Sequence, residues 1–368
     1  MEKNILKIIS CLLLFSLSSC LKEDELKLPF TTFQPQNLYD GWVISTPESE
    51  QIDHRELENI YRHYHENKDL WQVRSLLVFR NNKLVAESYT KNTDDRETPQ
   101  AIWSCTKQVL AILTGIALEH GIIENVNDNI QKYLPDEIGR YPDKGEITIS
   151  SLLKMQSGIA FENDGFNGES NKLLREIPNN SLDFVLGLPI FCRQRTVFHY
   201  NDGDPHIISA IIQRQTNKTT KDWAENVLFS KLGIRNYDWI TYKDGITMGA
   251  FGILTTSREM SKIGHLVLNK GKWNDEQIVD FEWIDDMTST KVSAESVDYH
   301  GMTFGYYWWI DESRDIIYMN GHGGQFVFIK PSKNLVVVTT AEPNTQGKHQ
   351  FQLPKALEIF DRIDNITR

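Results

Sequence analysis

Apolar and polar positions along the chain change rhythm three times, and each change predicts a different kind of element. Residues 49–67 read as a helix. Two β-type runs follow, 75–79 and 84–89, on either side of Arg80-Asn81-Asn82-Lys83. An Asn-Asn turn between such runs makes a hairpin. From Ser104 to about residue 240 helical patterns dominate, with loops rich in Gly, Asn and Asp near 161–171 and 199–205. Within this stretch Val109, Leu110, Ile112, Leu113, Ile116, Ala117 and Leu118 predict a buried helix. Towards the C-terminus, 304–310, 316–319, 325–329 and 335–341 read as successive antiparallel strands, and 353–363 as a closing helix. Strands at both ends with helices between them imply an α/β (α+β) domain. Its antiparallel sheet is assembled from N- and C-terminal segments, flanked by helices, with a mainly helical region at about 116–240. A cleft between sheet and helical region is a natural place for a pocket.

The first 48 residues read differently. Lys3 and Lys7 flank the start of an apolar run over 8–17, too short to span a bilayer and shaped like the core of a signal peptide, so residues 1–19 are expected to be cleaved. Leu17-Ser18-Ser19-Cys20 resembles a bacterial lipobox, in which Cys20 is acylated and becomes the new N-terminus. Lys22-Glu23-Asp24 is similar to the export address that carries some lipoproteins to the outer face of the outer membrane. Residues 20–48, with Pro29, Pro35 and Pro47, read as a lipidated tether, leaving 49–368 as the folded domain. The expected location is the outer membrane, on the cell surface or facing the periplasm, reached through lipid on Cys20.

Charge and cysteines narrow the chemistry. The formal net charge is −11, and −12 once Glu2, Lys3 and Lys7 leave, which argues against nucleic acid as a partner. Cys11 leaves with the signal and Cys20 would carry lipid, so Cys105 and Cys192 remain, too few for a disulfide framework. There is no C-x-x-C pair and no H-E-x-x-H, and the ten histidines are scattered, so neither a metal nor a cofactor is expected.

Ser104-Cys105-Thr106-Lys107 places a hydroxyl and an amine three residues apart at the start of the apolar helix. On a helix these positions share a face, so a nucleophile and its base would touch. Serine needs such a neighbour at neutral pH, and the positive end of a helix favours the negative charge that develops in acyl transfer. Cys105, beside it, reads as a buried thiol that packs. Two later segments join this one. Tyr200 lies in the turn-rich stretch 198–205, and Gly321-His322-Gly323-Gly324-Gln325 precedes the apolar run 326–329. Glycines at a strand start mark a tight turn or the close approach of a ligand or another backbone.

With these segments in this order, the chain resembles the class C β-lactamase-like serine hydrolases, and within them the branch of penicillin-binding proteins, 6-aminohexanoate-oligomer hydrolases and esterases. The resemblance runs from about residue 70 to about 345 and includes Gly121-Ile122-Ile123, Tyr133-Leu134-Pro135, residues 147–158, 252–260 and 305–309. It implies Ser104 as nucleophile, with Lys107 and Tyr200 handling its proton, the ammonium favouring the phenolate. Backbone N–H groups of Ser104 and Gln325 would bind the oxyanion. Asp202, His322, Gly323, Gly324 and Trp308 would contact substrate, although strand alternation turns either Trp308 or Trp309 away from the cleft.

Two departures from the family pattern bear on substrate. Tyr200-Asn201-Asp202 carries a carboxylate where the family has an amide, and His322 replaces the lysine of the Lys-Thr-Gly motif. A neutral imidazole holds a penicillin carboxylate poorly. The expected activity is therefore hydrolysis of a small ester, short amide or D-amino-acid peptide through an acyl-serine. The alternatives are a β-lactamase or cell-wall carboxypeptidase, and a non-catalytic surface binding protein on the same fold. Intact Ser104, Lys107 and Tyr200 argue against the last.

Overall fold

The computed structural model describes residues 27–163, 168–176, 179–294, 302–343 and 351–368. Nine strands make the main sheet: β1 (Val43–Ile44), β2 (Val73–Arg80), β3 (Lys83–Tyr89), β4 (Val292–Ser293), β5 (Thr303–Phe304), β6 (Trp309–Asp311), β7 (Ile316–Gly321), β8 (Gln325–Lys330) and β9 (Leu335–Ala341). Their order is β1-β3-β2-β9-β8-β7-β6-β5-β4. The β2–β3 hairpin closes on Asn81 and Asn82, both at positive φ (51° and 61°), which asparagine tolerates better than most residues. Its strand β2 pairs antiparallel with β9, Val78 opposite Val337. Distant ends of the chain are thus stitched into one sheet, as their period-two apolar runs require.

Both faces of the sheet are covered. On one, α4 (Ser257–Leu268) lies so close that a Cβ on Gly264 would come within 2.6 Å of Val327. On the other, α1 (His54–Glu66) and α5 (Leu353–Asn365) pack, with Phe360 5.4 Å from Phe328 and the hydroxyls of Tyr61 and Tyr64 donating to the Leu76 and Ser75 carbonyls at 3.1 Å. Val327 and Phe328 point to opposite faces because strand side chains alternate. Burying each such side chain contributes about 1.5–3 kcal/mol. Between α1 and α4 in sequence, α2 (Cys105–Glu119) runs through the centre of the helical region and packs on β7 and on α3 (Gly203–Thr216).

Three expectations change. The strand expected over 304–310 is two strands, because Tyr307 takes a left-handed φ of 63° and the amides of Tyr306 and Tyr307 donate to Met287 and Leu153 carbonyls instead of to a neighbouring strand. The sheet is not wholly antiparallel, since β1 pairs parallel with β3. That edge strand comes from the expected tether, which from Lys27 onwards is laid onto the domain. Phe33 and Trp42 are buried, the Trp42 indole N–H donates to the Arg258 carbonyl at 3.3 Å, and Arg258 pairs with Asp40 at 2.8 Å. Apolar anchors and a buried cation hold a segment whose prolines alone suggest a free chain.

Candidate active site

Ser104 stands immediately before α2, in helical conformation at φ −62°. The first full turn brings Lys107 back onto its face, and Lys107 Nζ donates to Ser104 Oγ at 2.8 Å. Lys107 is fully buried, and its amine meets two further acceptors, the Ala250 carbonyl at 3.0 Å and Asp202 Oδ1 at 2.7 Å. With the Tyr200 hydroxyl as well, four oxygens surround the three protons of an ammonium. Burial alone pushes this amine down, but Asp202 and Tyr200 together outweigh it and hold Lys107 above its ordinary value.

Tyr200 lies at 5.0 Å from Lys107 Nζ, measured to the ring centroid, and its hydroxyl hydrogen-bonds with Ser104 and Lys107. The loop that carries it is pinned by Asn201, which accepts from the Asp204 amide and donates to the His199 carbonyl, both at 2.8 Å. Burial pushes the Tyr200 phenol up; Lys107 pulls it down and Asp202 pushes it up again, and the net direction is upward. The expected phenolate-favouring effect of the ammonium is therefore present but outweighed. Beneath the loop, burial raises the Asp204 carboxyl to about 7.

The other wall is the turn after β7. A Cβ on Gly321 would sit 2.3 Å from the Ile102 carbonyl oxygen, so only glycine lets this turn rest on the chain leading into Ser104. Cys105 Sγ donates to the Gln325 carbonyl at 3.4 Å, which seats Gln325 against the residue after Ser104; burial pushes that thiol well up, in keeping with packing. The Gln325 side chain donates to the Ala341 carbonyl at 2.6 Å. Gly323 and Gly324, at φ 80° and 107°, make room for Pro343 and Phe351. Burial, then Arg175, push His322 below the ordinary histidine range, Asp202 opposing them, so the imidazole is neutral at pH 7.

Of the two adjacent tryptophans, Trp309 is the one that packs beside Tyr200. Trp308 and Trp309 are both buried in the core, and the Trp309 ring lies 5.8 Å from Tyr200, which Phe304 also flanks at 6.4 Å. The left-handed Tyr307 resets the alternation that would have decided between them. Trp103, Ala250 and Arg175 also went unremarked. The first carries no signal beyond adjacency to Ser104, and a backbone carbonyl such as that of Ala250 carries none at all. Ser104, Lys107, Tyr200, Asp202, His322 and Gln325 do converge; Cys20 lies outside the described residues.

The family model described as Beta-lactamase matches residues 74–358. The chain belongs to the Beta-lactamase family. The chain is similar to the 6-aminohexanoate-dimer hydrolase of Paenarthrobacter ureafaciens, 20% identical over 317 residues, 79% of each protein. Among solved structures, a putative 6-aminohexanoate-dimer hydrolase from Bacillus anthracis superposes with TM-score 0.68 at 19% identity, covering 93% of this chain and 87% of its own. EstCE1, a hydrolase with promiscuous acyltransferase activity, does so with TM-score 0.69 at 14% identity, covering 84% and 97%. For this Beta-lactamase-family chain the two superpositions establish the fold: a mixed sheet flanked by helices.

Proposed function

We propose that this chain is an acyl-serine hydrolase of small esters or short amides, of the class C-like branch. The observation that carries the reading is the 2.8 Å hydrogen bond between Lys107 Nζ and Ser104 Oγ, with Tyr200 closing the triangle. At rest the site holds an ammonium, a phenol and a serine hydroxyl, one proton too many for attack. Loss of a proton from the Lys107–Tyr200 pair arms it. Ser104 then attacks the substrate carbonyl and gives its proton to the pair, and the amides of Ser104 and Gln325 receive the oxyanion. Tyr200 hands a proton to the leaving group, and water hydrolyses the acyl-serine. The neutral His322 disfavours penicillins, whose carboxylate calls for a cation there.

Intact-mass spectrometry after incubation with a fluorophosphonate, a penicillin and p-nitrophenyl esters in parallel tests the assignment. One fluorophosphonate adduct per chain, absent in Ser104→Ala, together with ester turnover and little penicillin adduct, is the expected result. Labelling of Ser104→Ala at the wild-type rate would sink it. We further propose that Cys20 is lipidated and tethers the enzyme to the outer membrane, as Leu17-Ser18-Ser19 before it suggest. Cys20→Ala should release an active enzyme from membranes. Shaving by protease added to intact cells reports whether the domain faces outward.

A further inference from the structure

Two rings bracket the proposed oxyanion donors. Trp103 directly precedes Ser104, and His322 lies three residues before Gln325; their rings meet edge to face with centroids 5.6 Å apart. The backbone enforces this meeting, because Gly321 rests on the Ile102 carbonyl and Cys105 Sγ reaches the Gln325 carbonyl. Both residues are half-buried.

Trp103 itself stands in an unfavourable conformation. Its φ is 51°, a left-handed value that suits glycine or asparagine and strains a bulky aromatic residue. Backbone geometry would favour glycine here, so the indole is kept for what its ring does. Its partner His322 is neutral, so the indole braced edge-on by it offers an uncharged aromatic face.

Three groups surround the carbonyl carbon that Ser104 attacks. The oxygen turns to the amides of Ser104 and Gln325, and the leaving group must face Tyr200, which protonates it. The acyl substituent takes the remaining side. Tyr200 has its own aromatic neighbours, Trp309 and Phe304, distinct from the Trp103–His322 pair.

Resting on the acyl-serine reading above, we propose that Trp103, braced by His322, is the specificity-determining wall of the acyl subsite and takes an unbranched apolar acyl chain along its indole.

Two ester series measured side by side test this. In one the acyl chain grows from acetate to octanoate on a fixed p-nitrophenyl leaving group; in the other the acyl group stays acetyl and the alcohol grows. Fluorophosphonate titration of Ser104 normalises every rate to competent sites. In the wild type kcat/KM should climb about fourfold per acyl methylene until the chain outruns the ring, the gain expected when each methylene leaves water. In Trp103→Ala and Trp103→Gly the butyrate-to-acetate ratio should fall about tenfold, chiefly through KM, while the alcohol series keeps its wild-type profile. Trp103→Phe should restore most of the acyl dependence. The glycine variant suits the left-handed backbone, so it answers the question even where the alanine variant folds poorly. An unchanged acyl profile in both variants, or a change confined to the alcohol series, overturns the proposal and leaves the hydrolase reading standing. Absence of both fluorophosphonate labelling and ester turnover in the wild type would overturn the hydrolase reading and this inference with it.

Discussion

Two buried ion pairs, Arg258–Glu87 and Lys107–Asp202, are built to opposite specifications. Arg258 meets Glu87 through two hydrogen bonds, at 2.7 and 2.9 Å, and Glu87 also accepts from the Gln36 amide and the Tyr89 hydroxyl at 3.0 Å. Two further Arg258 donors go to Asp40 at 2.8 Å and the Gln36 carbonyl at 2.6 Å. Every proton there has a permanent owner, because the arginine cannot give one up. Lys107 and Asp202 also meet at 2.7 Å, but the same ammonium touches Ser104 and the phenol of Tyr200. Lysine and tyrosine can both lose a proton, so this cluster can change its charge without moving its atoms. A buried pair made of arginine is a fastener, and one made of lysine beside a phenol is a proton store.

The comparison can be broken at several points, taken here from the largest expected effect. Lys107→Ala and Tyr200→Phe should each lower kcat for ester hydrolysis by about 10²- to 10⁴-fold, and the double variant should be little worse than the poorer single one. Strictly multiplicative losses would show two separate roles instead of one shared store.

Arg258→Ala should act on stability and leave the chemistry alone. Removing one partner of a buried pair costs about 3–5 kcal/mol, and the lower end applies because Arg96 remains 3.4 Å from Glu87. Urea denaturation reads the loss, while kcat/KM per folded molecule at low temperature should stay within about threefold of wild type, as a surface-like change would. A catalytic collapse with normal stability would reverse the two assignments.

Asp202→Asn gives a smaller and more diagnostic change. Asp202 raises both Lys107 and Tyr200, and burial still pushes the lysine down once the carboxylate is gone. Both groups then lose a proton more readily. The ascending limb of the pH profile of kcat/KM should therefore move towards lower pH, with activity near the plateau changed only modestly. A shift towards higher pH would show that the carboxylate is needed as a proton acceptor.

Features carried by local pattern were legible in the chain. The Asn81-Asn82 hairpin, the strands of the C-terminal meander from residue 316 onward and the Ser104–Lys107 contact all follow from spacing within a few residues, and the structure contains each of them. What escaped depends on partners far away. Trp42 is held by Arg258, 216 residues on, so no window around the prolines of the N-terminal segment could show that it docks. The split at Tyr307 needs carbonyls from Met287 and Leu153, and its left-handed backbone redirected Trp308 into the core and Trp309 to Tyr200. The Trp103 conformation was hidden too, because nothing in the residues around it announces a positive φ.

The docked N-terminal segment also sets a length. Six residues separate Cys20 from Lys27, whose amine already donates to the Tyr64 carbonyl at 2.6 Å. Fully extended, that span reaches roughly 25 Å, at about 3.6 Å per residue. A lipid on Cys20 would thus be a short leash. The enzyme would patrol a shell one molecule deep over the bilayer, and substrates dissolved in or adsorbed to that surface would meet it far more often than those diffusing in the bulk.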